Sequence, residues 1–204
     1  MTASTPVFLK DVASKELVPA SLVIGLTVDQ VDEAVALWLP FLHESVKESG
    51  QTPAHAHWDW SKKVRDIRGI SGYLVAGVLV EDEVQAMLLW DDIASRGKHP
   101  SQLGKEIVYV HFLSTAPWND PQIANAPRYR GTGTLLIAAA VAHSVEQEFK
   151  GRIGLHALEE AEPFYRDKCS MIDLGVDATH GNLRYFELTP DLGEALLNKT
   201  GVKL

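Results

Sequence analysis

The stretch Arg128-Tyr129-Arg130-Gly131-Thr132-Gly133-Thr134 decides how the rest of the chain is read. It follows a β-rich run, Ile107 to Leu113, and a Pro- and Asn-containing loop, Thr115 to Tyr129. It opens a strongly helical stretch that extends to Lys150. Glycines let a backbone curl so that successive amides point into one concavity. A helix N-terminus adds about four unpaired N–H groups and roughly half a positive charge. An anion, phosphate above all, is the natural occupant, and Arg128 and Arg130 add charge-assisted donors. No Gly-Lys-Ser/Thr follows, so this is not a P-loop, and the third glycine of the dinucleotide fingerprint is missing.

Downstream, Leu135, Ala139, Ala142, Val145 and Phe149 step by three or four, which predicts one apolar stripe, with Gly151 as the helix cap. Upstream, Leu22 to Leu26 reads as a short buried strand. Asp29 reads as the cap of an amphipathic helix carrying Val31, Ala34, Val35, Trp38 and Leu42, which Pro40 kinks or ends. Glu48 to Ile70 reads as a loop leading into a short basic helix. Tyr73 to Val80 and Val84 to Trp90 form a hairpin. Ile107 to Leu113, nearly all apolar, reads as a strand buried on both faces. Arg152 to Leu158 and Arg184 to Leu188 are further strands, Glu160 to Lys168 a short helix, and the last residues a terminal helix. Hairpins beside helix crossovers imply an α/β (α+β) fold with a mixed sheet. Residues 1–20 are an arm or leading strand before a single domain spanning 21–204.

Composition narrows the function. The 204 residues carry 27 acidic and 19 basic side chains, a net charge of −8, which argues against a nucleic-acid partner. An acidic surface instead concentrates small cationic substrates, amines included. One cysteine, Cys169, excludes an intrachain disulfide framework and fits a reducing compartment. No run approaches the ~20 apolar residues of a membrane helix, and the start lacks a secretory layout. The expected location is cytoplasmic, with no membrane partner.

Arg-x-x-Gly-x-Gly opening a helix after a β-rich run resembles the acyl-CoA signature of the GNAT superfamily of N-acyltransferases, matched by Arg128, Gly131 and Gly133. The strand Arg152 to Leu158 followed by Ala161-Glu162-Pro163-Phe164-Tyr165-Arg166 resembles a second element of that superfamily. The resemblance implies a mixed central sheet flanked by helices and acetyl-CoA (coenzyme A) as cofactor. It implies an amine acceptor, either a small molecule or a protein amino group, and homodimers are common in the superfamily. It implies cofactor contacts from Leu113, Ser114 and Thr115 and from Arg128, Arg130, Gly131, Thr132, Gly133 and Thr134. Tyr165 takes the place of the tyrosine facing the leaving sulfur, the candidate acid. His111, on one strand face with Tyr109 and Leu113, is the candidate base, with Glu106 and a water as alternatives. Three departures stand out. The loop Thr115 to Pro127 is longer than the turn usual between the Ile107 to Leu113 strand and the phosphate loop. Leu158 occupies the position seven residues before Tyr165 where members often carry asparagine, and Cys169, Ser170 and Met171 replace the usual Gly-Phe. A catalytically silent acyl-CoA-binding sensor or interaction module is the competing class. His55, His57 and Asp59 lack a fourth ligand spacing, so no metal is expected. Trp58 and Trp60 are expected to line the acceptor pocket or lie beneath it.

Overall fold

The computed structural model describes residues 3–124 and 126–203. Met1, Thr2, Asn125 and Leu204, parts of the expected arm, loop and terminal helix, lie outside it. Two compact units emerge: the chain up to Met87 with Leu113–Gly133, and Leu88–Phe112 with Thr134 onward.

The first unit begins with β1 (Ala3–Asp11), antiparallel to β2 (Leu17–Ile24) in register from Ala3↔Ile24 to Lys10↔Leu17. Helix α1 (Val28–Ser49) starts two residues earlier than Asp29 suggests. Thr27 is its cap, accepting from the Gln30 amide while the Gln30 side chain accepts from the Thr27 amide. Nor does Pro40 end it. Val31, Ala34, Trp38 and Leu42 are buried on both sides of the proline, and the Trp38 indole donates to Val84 O at 3.2 Å. That anchorage outweighs the ~3 kcal/mol an interior proline costs. Helix α2 (Trp60–Ile67) is capped by Asp59, which accepts from the Lys62 amide. Strands β3 (Tyr73–Val80) and β4 (Glu83–Asp91) turn at Glu81 and Asp82, both with positive φ (49° and 67°), as a tight hairpin turn requires.

In the second unit the structure departs from expectation in several places. Strand β5 (Val108–Thr115), which ends in the first unit, is not buried on both faces. Val108 and Val110 are buried, whereas Tyr109, His111 and Leu113 are only half-buried. Following β6 (Tyr129–Arg130), helix α3 (Thr132–Glu146) stops short of Lys150, because the chain turns through positive φ at Glu148 and Lys150 before reaching Gly151. Its burial is no stripe either: every residue from Leu135 to Ser144 is buried, while Val145 is 50% exposed. An alanine-rich segment with small side chains allows enclosure on all sides. Strand β7 (Ile153–Ala157) runs parallel to β5. The segment expected to form a helix over Glu160–Lys168 is a 3₁₀ turn (Glu159–Ala161) and a π-helical turn (Phe164–Lys168) in which the Cys169 amide donates to Phe164 O. Strand β8 (Ile172–Asp177), unanticipated, pairs with β9 (Leu183–Leu188) through a bulge, and α4 (Pro190–Thr200) closes the chain. The strands follow the hydrogen-bonded order β6-β1-β2-β3-β4-β5-β7-β9-β8, a mixed sheet. Among the described residues, no helix is long and apolar enough to cross a membrane.

Candidate functional site

The phosphate-loop candidate is pinned by neutral side chains. Gln85 on β4 is fully buried, and its Oε1 accepts from Trp118 Nε1 (2.8 Å) and Asn119 Nδ2 (3.0 Å). Asn119 Oδ1 in turn accepts from the Tyr129 amide at 2.8 Å, and the Arg128 amide donates to Trp118 O. Strand β6 then pairs with β1, Arg130 opposite Lys10 and Tyr129 opposite Asp11. Tyr129 is buried and Arg130 exposed. The Arg128 guanidinium lies over the Tyr129 ring, 5.0 Å from its centre, with Glu83 at 3.9 Å.

Gly131 is exposed and holds φ +99°, a conformation side-chain-bearing residues rarely adopt. A Cβ there would meet only Leu9 Cδ2, at 4.0 Å, so the space above it is open. Thr132 and Gly133 are buried and already helical, so the loop proper ends at Gly131. The amides beyond it belong to the first turn, which has no partners within the helix. An exposed arginine pair, an open left-handed glycine and a helix start form a donor set that fits a diphosphate.

Nearer the N-terminal helices lies a recess with about 40 Å³ of free space, walled by Trp38, Trp58, Trp60, Ile123, Ser114 and Thr115. Trp60 is 3% exposed and donates to Ser114 Oγ at 3.1 Å, so its ring forms a floor while half-buried Trp58 forms a wall. His55, His57 and Asp59 do not converge: His55 faces Asp120 at 3.5 Å, and Asp59 caps α2. In the basic run, Lys62 pairs with Asp66 at 2.5 Å and Arg65 with Asp32.

The second unit carries a different cluster on the half-buried face of β5. His111 Nε2 lies 2.6 Å from Asp91 Oδ2, and the His111 and Tyr109 rings meet edge-on at 4.8 Å. Tyr109 Oη is 2.7 Å from His156 Nδ1, and His156 Nε2 is 3.2 Å from Asp177 Oδ2. Lys98 Nζ reaches the same Asp177 oxygen at 2.6 Å, and His180 stacks on His156 at 4.0 Å. His156, Asp177 and His180 each bring a possible metal-ligating atom within 4.8 Å of the others, but the Lys98 ammonium already supplies the carboxylate with a cation. Burial pushes the Tyr109 phenol up to about 12. Burial also lowers His156, with Asp177 opposing. Asp177 is held far below the usual carboxylate range, first by Lys98 and then by Thr179.

Tyr165 sits in the π-helical turn, 7% exposed, between Phe164 and Phe186. Burial raises its phenol well above the ordinary value, so it stays protonated at any working pH. Reasoning from sequence missed Gln85, Asn119, Asp91, His156 and Asp177. The available signal was a polar residue interrupting a β-rich run, as in Val84-Gln85-Ala86 and Leu155-His156-Ala157.

A mixed sheet with a glycine-led helix start after β5 and β6 is the fold of GNAT acetyltransferase domains, and the chain is folded as one. The GNAT domain of S. lividans PAT superposes with a TM-score of 0.54 at 13% identity, over 91% of this chain and 96% of that one. RimJ of Mycobacterium smegmatis, solved in complex with CoA-disulfide, gives 0.56 at 12% identity over 98% and 95%. An uncharacterized protein of Bacillus halodurans gives 0.53 at 12% over 96% and 95%. No protein-family model matches the sequence, and no curated protein matches it.

Proposed function

We propose that the chain is an acyl-CoA-dependent N-acyltransferase that moves an acetyl group from acetyl-CoA to an amine, on a small molecule or a protein. The observation that carries this reading is the open, left-handed Gly131 that follows two exposed arginines at the start of α3, in a fold shared with solved GNAT domains. Acetyl-CoA supplies the acyl group as a thioester with a thiolate leaving group. Arg128, Arg130 and the amides of Gly131 to Thr134 hold its diphosphate. The backbone of Leu113 to Thr115, the last residues of β5, pairs with the pantetheine arm as another strand would and offers an N–H to the carbonyl oxygen as charge gathers there. Ser114 acts through its backbone, since its hydroxyl is bonded to Trp60. The recess beside Ser114 and Thr115 is narrow and walled by aromatic rings, which supports a short acyl group.

An amine must be neutral to attack, and the half-buried face of β5 offers the groups that can take its proton, with His111 as the candidate from sequence. Tyr165 is the candidate donor to the thiolate. We take residues 21–204 as the acyltransferase domain, with residues 1–20 supplying the leading strand that pairs with β2 and β6, and the cytoplasm as its location, which suits the single cysteine.

Calorimetry with coenzyme A tests the cradle, and thiol release from acetyl-CoA with a panel of primary amines tests the reaction. Absence of heat at millimolar coenzyme A would sink the proposal. Binding without turnover against any amine would favour a silent acyl-CoA-binding module. That second reading is supported by the burial of Tyr165 and by Leu158 in the place of the asparagine.

A further inference from the structure

Two histidine–carboxylate pairs share the half-buried face of the second unit. Of the pair on β4 and β5, Asp91 with His111, only His111 was a candidate from the strand's sequence. The other pair was not a candidate: its members come from β5, β7 and the end of β8, and they form a series, Tyr109, His156, Asp177. We propose that Tyr109, backed by His156 and Asp177, is the group that takes the amine proton during acyl transfer. This rests on the acyltransferase reading above.

The geometry sets a direction. With the phenol donating to Nδ1, the His156 proton sits on Nε2 and points to Asp177 Oδ2. Nδ1 is then the open acceptor, and it faces the Tyr109 hydroxyl on the half-buried face of β5. As the N–C bond forms and the C–S bond breaks, an amine proton moves to Tyr109 Oη while the phenolic proton passes to His156 Nδ1. The thiolate leaves with the electron pair, and Asp177 stabilises the imidazolium, as the aspartate does in a serine–histidine–aspartate triad. The proton then returns to solvent through Tyr109.

The surroundings keep the imidazole ready. The charged and titratable groups around His156 are Tyr109 on β5, Tyr185 on β9, Asp177, His180 and Lys98. Burial, with the His180 and Lys98 charges, holds His156 below its ordinary 6.5, so it is neutral and able to accept at neutral pH. Asp177 stays ionised because Lys98 and both Thr179 donors face it. His111, by contrast, meets Tyr109 through its ring and commits Nε2 to Asp91.

The test compares Tyr109→Phe, His156→Gln and His111→Gln with the parent protein, using acetyl-CoA and a panel of alkyl, aryl and peptide amines. Imidazole ¹⁵N spectra provide a readout that needs no turnover. Tyr109→Phe and His156→Gln are each expected to lower kcat about 100-fold with the KM for acetyl-CoA nearly unchanged. The acid limb of the parent pH profile should lie below 6.5 and vanish in His156→Gln, while His111→Gln keeps it. The spectra should place the His156 proton on Nε2. A protonated Nδ1, an acid limb lost in His111→Gln alone, or full turnover in His156→Gln overturns the relay. Turnover with no amine also overturns it, yet leaves the cradle standing if coenzyme A still binds. Loss of coenzyme A binding in the parent removes the reading beneath both.

Discussion

The proposed cradle around Gly131 and the Tyr109–His156 face are built by opposite means. The first presents backbone amides and is held by uncharged side chains, Gln85 and Asn119, whose hydrogen bonds close on one another out of water. The second presents ionisable side chains and is held by charges, with Asp177 collecting Lys98, His156 and His180. A site made of amides needs a fixed backbone and tolerates no movement of its supports. A site made of titrating groups needs a tuned field, and its output follows pH.

The contrast can be broken at its supports. Gln85→Leu leaves the Trp118 and Asn119 donors facing an apolar side chain. It is expected to cost about 2–4 kcal/mol, a fall in Tm of roughly 4–16 °C, with coenzyme A affinity falling alongside; a chemical denaturation series with calorimetry checks both. Tyr165→Phe should reduce turnover about 100-fold while leaving coenzyme A affinity and stability nearly as they were, because the ring keeps its contacts with Phe164 and Phe186. Equal turnover would remove Tyr165 as proton donor. Gly131→Val forces a β-branched residue to φ +99° and should weaken coenzyme A binding about tenfold or more; unchanged affinity would count against the cradle. Thr27→Ala removes one half of the α1 capping box and should lower stability by ~1 kcal/mol without touching either site, which makes it the control for the other three.

The proposed cradle could be named from sequence because its parts are consecutive. Arg128, Arg130, Gly131 and the first turn of α3 lie within one short stretch, so local geometry alone suggests a purpose for them. The hairpin over Tyr73–Asp91 was legible for the same reason. Tyr109, His156 and Asp177 come from three separate strands, and only β-sheet register brings them together. His111 was visible as an odd residue in an apolar run, yet its partner Asp91 was not. The supports were hidden differently: Gln85 and Asn119 look like surface residues until burial shows otherwise. Tertiary packing overrode two local expectations. Pro40 does not end α1, which Trp38 anchors, and the expected stripe on α3 became enclosure on every side.

Gly154 on β7 has a consequence for how this protein can diverge. A Cβ there would fall 2.4 Å from the Tyr185 hydroxyl and 2.8 Å from Ile107 Cδ1, and the Tyr185 ring, 3% exposed, has little freedom to retreat. Lineages descended from this chain should therefore not lose the glycine while they keep the tyrosine. Where the pair is lost, the platform on which the His156 imidazole rests goes with it.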